Sequence, residues 1–255
     1  MVFKKMLRSL GVGGPSVDTV LSTSTVQPGG MLTGEVRVTG GDHEVAIEYI
    51  ALSLVTKVEV ETDDAEFDAT QQFHRGTVSG PFRLAAGQNT AVPFEMPIPW
   101  ETPITDFYGQ HLHGMSMGVK TELSVAKAVD KGDRDPIVVA PLPSQRRVLE
   151  AFGQLGFRFK NADNERGRVH GVNQTLPFFQ EIEFYPPAQF AHRVKEIELT
   201  FVADPQGLAI VLEADNRGGF LVPSRDTYGR WYVTHEDAAQ RDWTAELNHW
   251  LSSRR

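Results

Sequence analysis

The sequence predicts an all-β chain of two tandem β-sandwiches, with a short amphipathic helix at its start and another at its end. Three observations lead there. Apolar and polar residues alternate with a period of two over most of the 255 residues. The 23 glycines and 15 prolines cut that alternation into short runs. No helical stretch of ten or more residues is read between the strand runs, as a parallel α/β sheet would require.

The elements follow in order. Phe3, Met6, Leu7 and Leu10 recur at i, i+3, i+4 and i+7, with Lys4, Lys5 and Arg8 off that stripe, which predicts a helix stopped by Gly11, Gly13, Gly14 and Pro15. Its apolar face is read as docked on its own domain, with a membrane surface or a partner as alternatives. From Val17 the period becomes two. Gln27-Pro28-Gly29-Gly30 places proline at i+1 and glycine at i+2 of a type II turn, so a hairpin follows. Beyond it Leu32, Val36 and Val38 share the inward face of a half-buried strand. The run 45–61 is apolar on both faces at first, which implies a bulge or a central position, and then turns Leu52, Leu54, Val58 and Val60 inward.

Shorter strands are read at 82–84 and 92–96, the latter placed on an edge by Pro93 and Pro97. The segment 111–129 is also strand-like. The charges of 130–136, with Pro136, Pro141 and Pro143, then read as a linker. This divides the chain into an N-terminal sandwich over 1–130, a linker over 131–144 and a C-terminal sandwich over 145–255. Strands resume around Phe157 and Phe159, then Phe178, Ile182 and Phe184, then Ile197, Leu199 and Phe201, then Leu208, Ile210 and Leu212. Thr234-His235-Glu236-Asp237 fits a helix start, and Trp243, Leu247, Trp250 and Leu251 fall on one face of the closing helix.

Composition excludes several chemistries. With no cysteine there is no disulfide framework, thiolate metal site or cysteine nucleophile. The 25 Lys and Arg against 33 Asp and Glu give a formal charge of −8, which argues against nucleic acid as a partner. Arg8 interrupts the apolar core a secretory signal needs, and no run approaches the roughly 18 apolar residues of a membrane span, so a cytoplasmic protein is expected. Gly114-Met115-Ser116-Met117-Gly118 matches the G-x-S-x-G nucleophile elbow in letters, but it sits inside a period-two run and not between a strand and a helix. His111 and His113 share a strand face and read as a partly buried structural pair, since no third ligand lies nearby. Asp130, Asp133 and Asp135 lack calcium-loop spacing and read as a solvated linker. Asp63-Asp64 and Asp163-Asn164-Glu165 read as hydrated loops. No catalytic residue, metal site or cofactor is therefore expected, although carboxylate pairs assembled across loops remain open to a β-sandwich enzyme.

A string of segments carries a family resemblance: Phe3-Lys4-Lys5, Gly11-Val12-Gly13, Val17-Asp18-Thr19, Pro28-Gly29, Gly34-Glu35-Val36 and Thr39-Gly40-Gly41, then Asp130-Lys131-Gly132-Asp133, Gly156-Phe157-Arg158-Phe159, and Leu176-Pro177-Phe178-Phe179-Gln180-Glu181-Ile182-Glu183-Phe184. From residue 2 to about 215 the chain resembles the bacterial sporulation-control (SpoOM) family, whose members have an arrestin-like fold of two β-sandwiches. The resemblance implies a non-enzymatic cytoplasmic regulator of sporulation, development or division, and carries over no catalytic residue. Such a protein is expected to act as an adaptor for other proteins through sheet edges and the cleft between sandwiches, with a homo-oligomer as a further expectation. The alternative is a membrane-surface adaptor using Phe3, Met6, Leu7 and Leu10 with Lys4, Lys5 and Arg8. Phe3, Lys4, Lys5, Met6, Leu7, Leu10, Trp243, Leu247 and Trp250 are the candidate interaction residues.

Overall fold

The computed structural model describes residues 13–62, 65–216 and 227–253. The helix expected on Phe3, Met6, Leu7 and Leu10 lies outside them. The chain is mostly β and layered. One layer is an antiparallel sheet of β1 (Ser16–Leu21), β3 (Met31–Thr39) and β7 (Asn89–Pro97), in the order β1-β3-β7. The turn before β3 has the expected chemistry: the Gly30 N–H donates to the Gln27 carbonyl at 3.0 Å, and Gly29 holds a φ of +71°. Just ahead of it, β2 (Thr25–Val26) pairs in parallel with β12 (Val138–Val139). β7 is an edge strand, where the missing N–H groups of Pro93 and Pro97 cost no ladder bonds. Leu32, Val36 and Val38 are buried, as their alternation requires.

The second layer is a ten-stranded sheet built on β4 (Val45–Thr62). On one side β4 carries β5 (Ala65–Ser79) and β6 (Phe82–Leu84), and on the other it carries β10 (Met117–Val125) over Ile47 to Thr56. Residues 51–56 are buried on both faces, and the register against β5 shifts at Ile50/Ala51 and Leu52/Leu54, which accounts for the apolar run without alternation. Where β10 stops, β13 (Arg158–Arg166) takes its place with a parallel contact at Glu165 and Glu59. The sheet then continues through β14 (Phe178–Tyr185), β15 (Val194–Ala203), β16 (Gly207–Asn216) and β17 (Thr227–Thr234), all antiparallel.

Residues 131–136, read from the sequence as the opening of a linker, are instead strand β11 (Lys131–Pro136), paired with β10. Asp133 is not freely solvated: it accepts the Thr19 N–H at 2.9 Å and so closes the gap between β1 and β11. A helix that the strand pattern did not announce, α1 (Pro143–Gln154), precedes β13. Pro143 supplies its first position, and Gln145 Oε1 accepts the Leu142 N–H at 2.9 Å. The closing helix is two pieces, α2 (His235–Gln240) and α3 (Trp243–Ser252). Thr234 caps the first by accepting from the Asp237 N–H, and Asp242 caps the second by accepting from the Ala245 N–H. These helices cover the face of β14–β17 that carries Phe184 and Trp231. Phe152 of α1 stacks on Phe184 at 4.4 Å, while Trp243 and Trp250 pack edge-on against Trp231 at 6.3 and 6.0 Å.

The connection 98–105, between β7 and β8 (Asp106–Phe107), joins the two halves. The buried Gln180 amide grips the Ile104 backbone from both sides, its Oε1 accepting from the N–H at 3.0 Å and its Nε2 donating to the carbonyl at 2.7 Å. Phe73 and Phe178 meet edge to face at 5.2 Å across the same junction. Replacing Gln180 by leucine leaves both Ile104 groups buried without partners, at about 1–3 kcal/mol each. The expected outcome for Gln180→Leu is a loss of about 2–4 kcal/mol in urea unfolding, with little change in far-UV circular dichroism.

Candidate functional site

Of the expected interaction residues, Phe3, Lys4, Lys5, Met6, Leu7 and Leu10 lie outside the described residues. Trp243 and Leu247 are 2% and 1% exposed. Trp250 is half-buried and lies so close to β17 that a Cβ on Gly229 would come within 2.4 Å of its indole nitrogen. The described tryptophans of α3 therefore face inward. His111, at the end of β9 (Gln110–His111), and His113 are both exposed, which corrects the reading of a partly buried pair. Gly114, at a φ of +91°, turns the chain between them and the buried Met115 and Met117. A Cβ there would lie 2.0 Å from the Ala162 carbonyl oxygen, so the close approach to β13 requires glycine. Ser116 leads straight into β10 and not into a helix.

The Asp163-Asn164-Glu165 segment is likewise no hydrated loop. It is the second half of β13, and it opens onto the polar face of the sheet, opposite the helices. Register assembles carboxylates there from four strands. Asp163 stands opposite Glu181, Glu183 opposite Glu198, and Glu198 opposite Glu213. Like charges directly opposed on neighbouring strands are destabilising, so each needs relief. Lys160 provides it at one end, ion-paired with Glu183 and, at 2.5 Å, with Glu196. At the other end the Tyr228 hydroxyl donates to Glu213 at 2.7 Å. Between them, Glu181 and Glu198 accept no hydrogen bond from any described residue, and Asp163 Oδ1 is buried without a partner. Asp163, Glu165 and Glu181 each place one oxygen within 4.8 Å of the others, a spacing that a hard cation or a shared proton can use.

The floor made by Glu181, Glu198, Glu213 and Thr200 belongs to a cavity of about 360 Å³, walled by Phe179 and Tyr228 and rimmed by Arg168 and Arg230. A second hollow of about 300 Å³ shares Arg230 and reaches Asp204 and Tyr232. Chemically, this is a concave, acid-floored surface with aromatic walls, suited to ammonium and guanidinium groups.

Burial, reinforced by Glu198, Asp163 and Glu165, pushes the Glu181 carboxyl up to about 9. Burial and Glu213 push Glu198 up to about 7. Asp163 is raised by burial and by Glu183. Burial works against the charge of Lys160, but its bonds to Glu183 and Glu196 prevail and raise it. Each raised carboxyl holds its proton more tightly in the folded chain than in the unfolded one. The stability so gained is complete below the ordinary carboxyl range near ~4 and is lost as pH climbs through about 7 and then about 9. The melting temperature is therefore expected to fall between pH 5 and pH 9. Glu181→Gln should remove a large part of that fall, on the order of 3 kcal/mol at pH 9, in melts followed by circular dichroism.

Comparisons with known proteins agree with this architecture. The model of the family described as SpoOM protein matches residues 3–218. A curated relative, the sporulation-control protein spo0M of Bacillus subtilis strain 168, is 36% identical over 216 residues, covering 84% of this chain and 81% of the relative. The crystal structure of Spo0M, sporulation control protein, from Bacillus subtilis superposes with a TM-score of 0.80 at 31% identity, covering 94% of this chain and 98% of that one. With the family match spanning most of its length and a relative well above 30% identity, the chain belongs to the SpoOM family.

Proposed function

We propose that this protein is a cytoplasmic, non-enzymatic regulator of sporulation control, acting as an adaptor that docks a basic segment of a partner protein on the acid floor of β13–β16. Kinship with a protein named for sporulation control supports the regulatory role. Among the described residues no helix is long and apolar enough to cross a membrane, which is consistent with action away from the bilayer core. The observation that carries the docking site is the pair Glu181 and Glu198, carboxyl groups that burial raises to about 9 and about 7 and that accept no hydrogen bond from any described residue, at the base of a cavity walled by Phe179 and Tyr228. Ionising them unaided costs stability, so they hold their protons until a lysine or arginine enters beside Phe179 and draws the pair into its ionised form by supplying charge and donors; the Tyr228 ring already carries the Arg230 guanidinium at 5.6 Å. The edges of the three-stranded sheet are less open. β7 carries prolines along its edge, and the edges of β1 and β11 face each other, with the Thr19 N–H already spent on Asp133.

The test removes the ionisable carboxyls without removing shape. Glu181→Gln, Glu198→Gln and Glu213→Gln together relieve repulsion, so the triple variant should melt at or above the parent at pH 8. It should bind a twelve-residue peptide of lysine and arginine at least tenfold more weakly by fluorescence anisotropy. Expressed in Bacillus subtilis lacking its own relative, the parent chain should restore spore counts and the triple variant should not. Equal peptide binding by both proteins, or equal restoration, overturns the docking site.

A further inference from the structure

The loop 167–177, between β13 and β14, has its own architecture. Its ends are tied where the Gly167 N–H donates to the Pro177 carbonyl at 3.1 Å. Inside it the buried Gln174 amide serves as the hub. Its Oε1 accepts from the Val169 N–H at 2.8 Å, and the two hydrogens of its Nε2 are shared among the carbonyls of Gly167, Leu176 and Phe178 at 2.9, 2.7 and 3.0 Å. Arg168 closes the ring by donating to the Gln174 carbonyl at 2.6 Å. A loop satisfied largely from within is a compact unit, as Ω-loops are.

That unit overhangs the acid-floored cavity. Arg168, Val169 and His170 line one side of the space whose opposite side is Glu181, Glu198 and Thr200. Its C-terminal foot, just before Pro177, is held by the other half of the chain. The Glu101 carboxylate, from the connection 98–105, accepts from the Thr175 N–H at 2.8 and 2.9 Å, from the Thr175 hydroxyl at 2.8 Å and from the Leu176 N–H at 2.8 Å. Charge-assisted bonds of this kind are the strong ones. A second route returns from the neighbouring hollow to the same connection. The Asp204 carbonyl accepts from His235 Nε2–H at 2.8 Å, and the His235 ring stacks on Trp100 at 5.4 Å.

We propose that the loop 167–177 is a lid held shut over the cavity by Glu101, so that the junction between the two halves sets access to the acid floor. The lid places its own cation, Arg168, on the rim of the cavity that a basic segment would enter, with its guanidinium turned back to the Gln174 carbonyl. Closure is therefore self-inhibiting, and release of Glu101 opens the site. By linkage, a segment that binds better to the open site also loosens the Glu101 contact. What the lid admits rests on the docking function proposed above, whereas the tether itself does not.

The natural chain has no cysteine, so Thr200→Cys on the cavity floor gives a single thiol whose labelling rate reports lid opening. With an uncharged maleimide under native conditions, adding Glu101→Ala should speed labelling at least tenfold, and Glu101→Gln, which keeps one acceptor, should fall between. Amide exchange of 168–176 should accelerate with it, while the amides of β15 and β16 stay as protected as in the parent, which separates lid opening from unfolding. Unchanged labelling, or acceleration matched by exchange throughout β15 and β16, overturns the lid. In a parallel arm, Glu101→Ala should bind the lysine and arginine peptide at least threefold more tightly. Binding by the parent with no gain in Glu101→Ala also overturns the lid. Accelerated labelling with no peptide bound by either protein supports the lid and counts against the docking function instead.

Discussion

A single buried hydroxyl sits where the two halves of the sheet meet. Thr56 Oγ1 donates to the Ser116 carbonyl, just before β10, at 2.7 Å and accepts from Asn164 Nδ2, on β13, at 3.0 Å. Thr56 is fully buried, so losing either partner would leave a polar group stranded in the interior. It also marks the residue of β4 at which the β10 ladder ends, with β13 alongside the same edge three residues further on. The eighteen residues of β4 thus belong to both halves, and their registers are not independent. A one-residue slip anywhere along β4 would exchange the inner and outer faces of every strand paired to it. The connection 98–105 reinforces this continuity by threading Ile104 into the grip of Gln180.

Fixing that register has a consequence on the polar face. Once β14, β15 and β16 are aligned by Leu199 against Ile182 and against Leu212, their glutamates have no choice of neighbour. The same alignment that buries Ile182, Leu199 and Leu212 forces Glu183, Glu198 and Glu213 into a line. The chain relieves the ends of the line with Lys160 and Tyr228 and leaves the middle to protonation or to a ligand. Threonine or glutamine at 181 and 198 would satisfy the sheet equally well without the repulsion. Positions where a folded chain breaks a local rule without compensation nearby are where function is to be sought.

How much of this was readable beforehand depends on distance along the chain. The type II turn at Pro28-Gly29, the inward set Leu32, Val36 and Val38, the bulged and central run of β4, the edge position of β7 and the Thr234 cap are all local, and each followed from period and turn chemistry. Helix α1 was masked by the prolines ahead of it, which suggested a linker. The signal was nevertheless present in Val148, Leu149 and Phe152, which fall on one face and are all buried. The split between α2 and α3 was hidden because Asp242 reads equally as a helical surface residue or as a cap. The acid floor could not be read at all. Glu181 and Glu183, Glu196 and Glu198, and Glu213 each look like ordinary outward positions of an alternating strand, and only register makes them neighbours. Asp163 and Glu165 were further disguised by Asn164, which suggested a turn but turns its amide inward to Thr56 and the Lys57 carbonyl.

The same geometry determines which part of the site can move. The floor is a run of antiparallel strands whose reverse side is covered by α1, α2 and α3 through Phe152, Trp243 and Trp250, so displacing it would mean opening the hydrophobic core. Opening free energies within one protein range from nearly zero to the full unfolding value, and segments with few buried apolar contacts lie at the low end. Apart from Leu176, which packs against the core, the loop 167–177 is built from polar and glycine-rich backbone of this kind. Most of its bonds are internal, through Gln174, and would travel with it. Its outward attachment to the other half is one carboxylate, that of Glu101, facing two backbone N–H groups and a hydroxyl. A rigid floor, a self-contained lid and a single charged latch on a separate element are the parts that a gated surface needs. Here they arise from a glutamine that organises the loop, a glutamate that anchors it, and a shared β-strand that holds both halves in register while it moves.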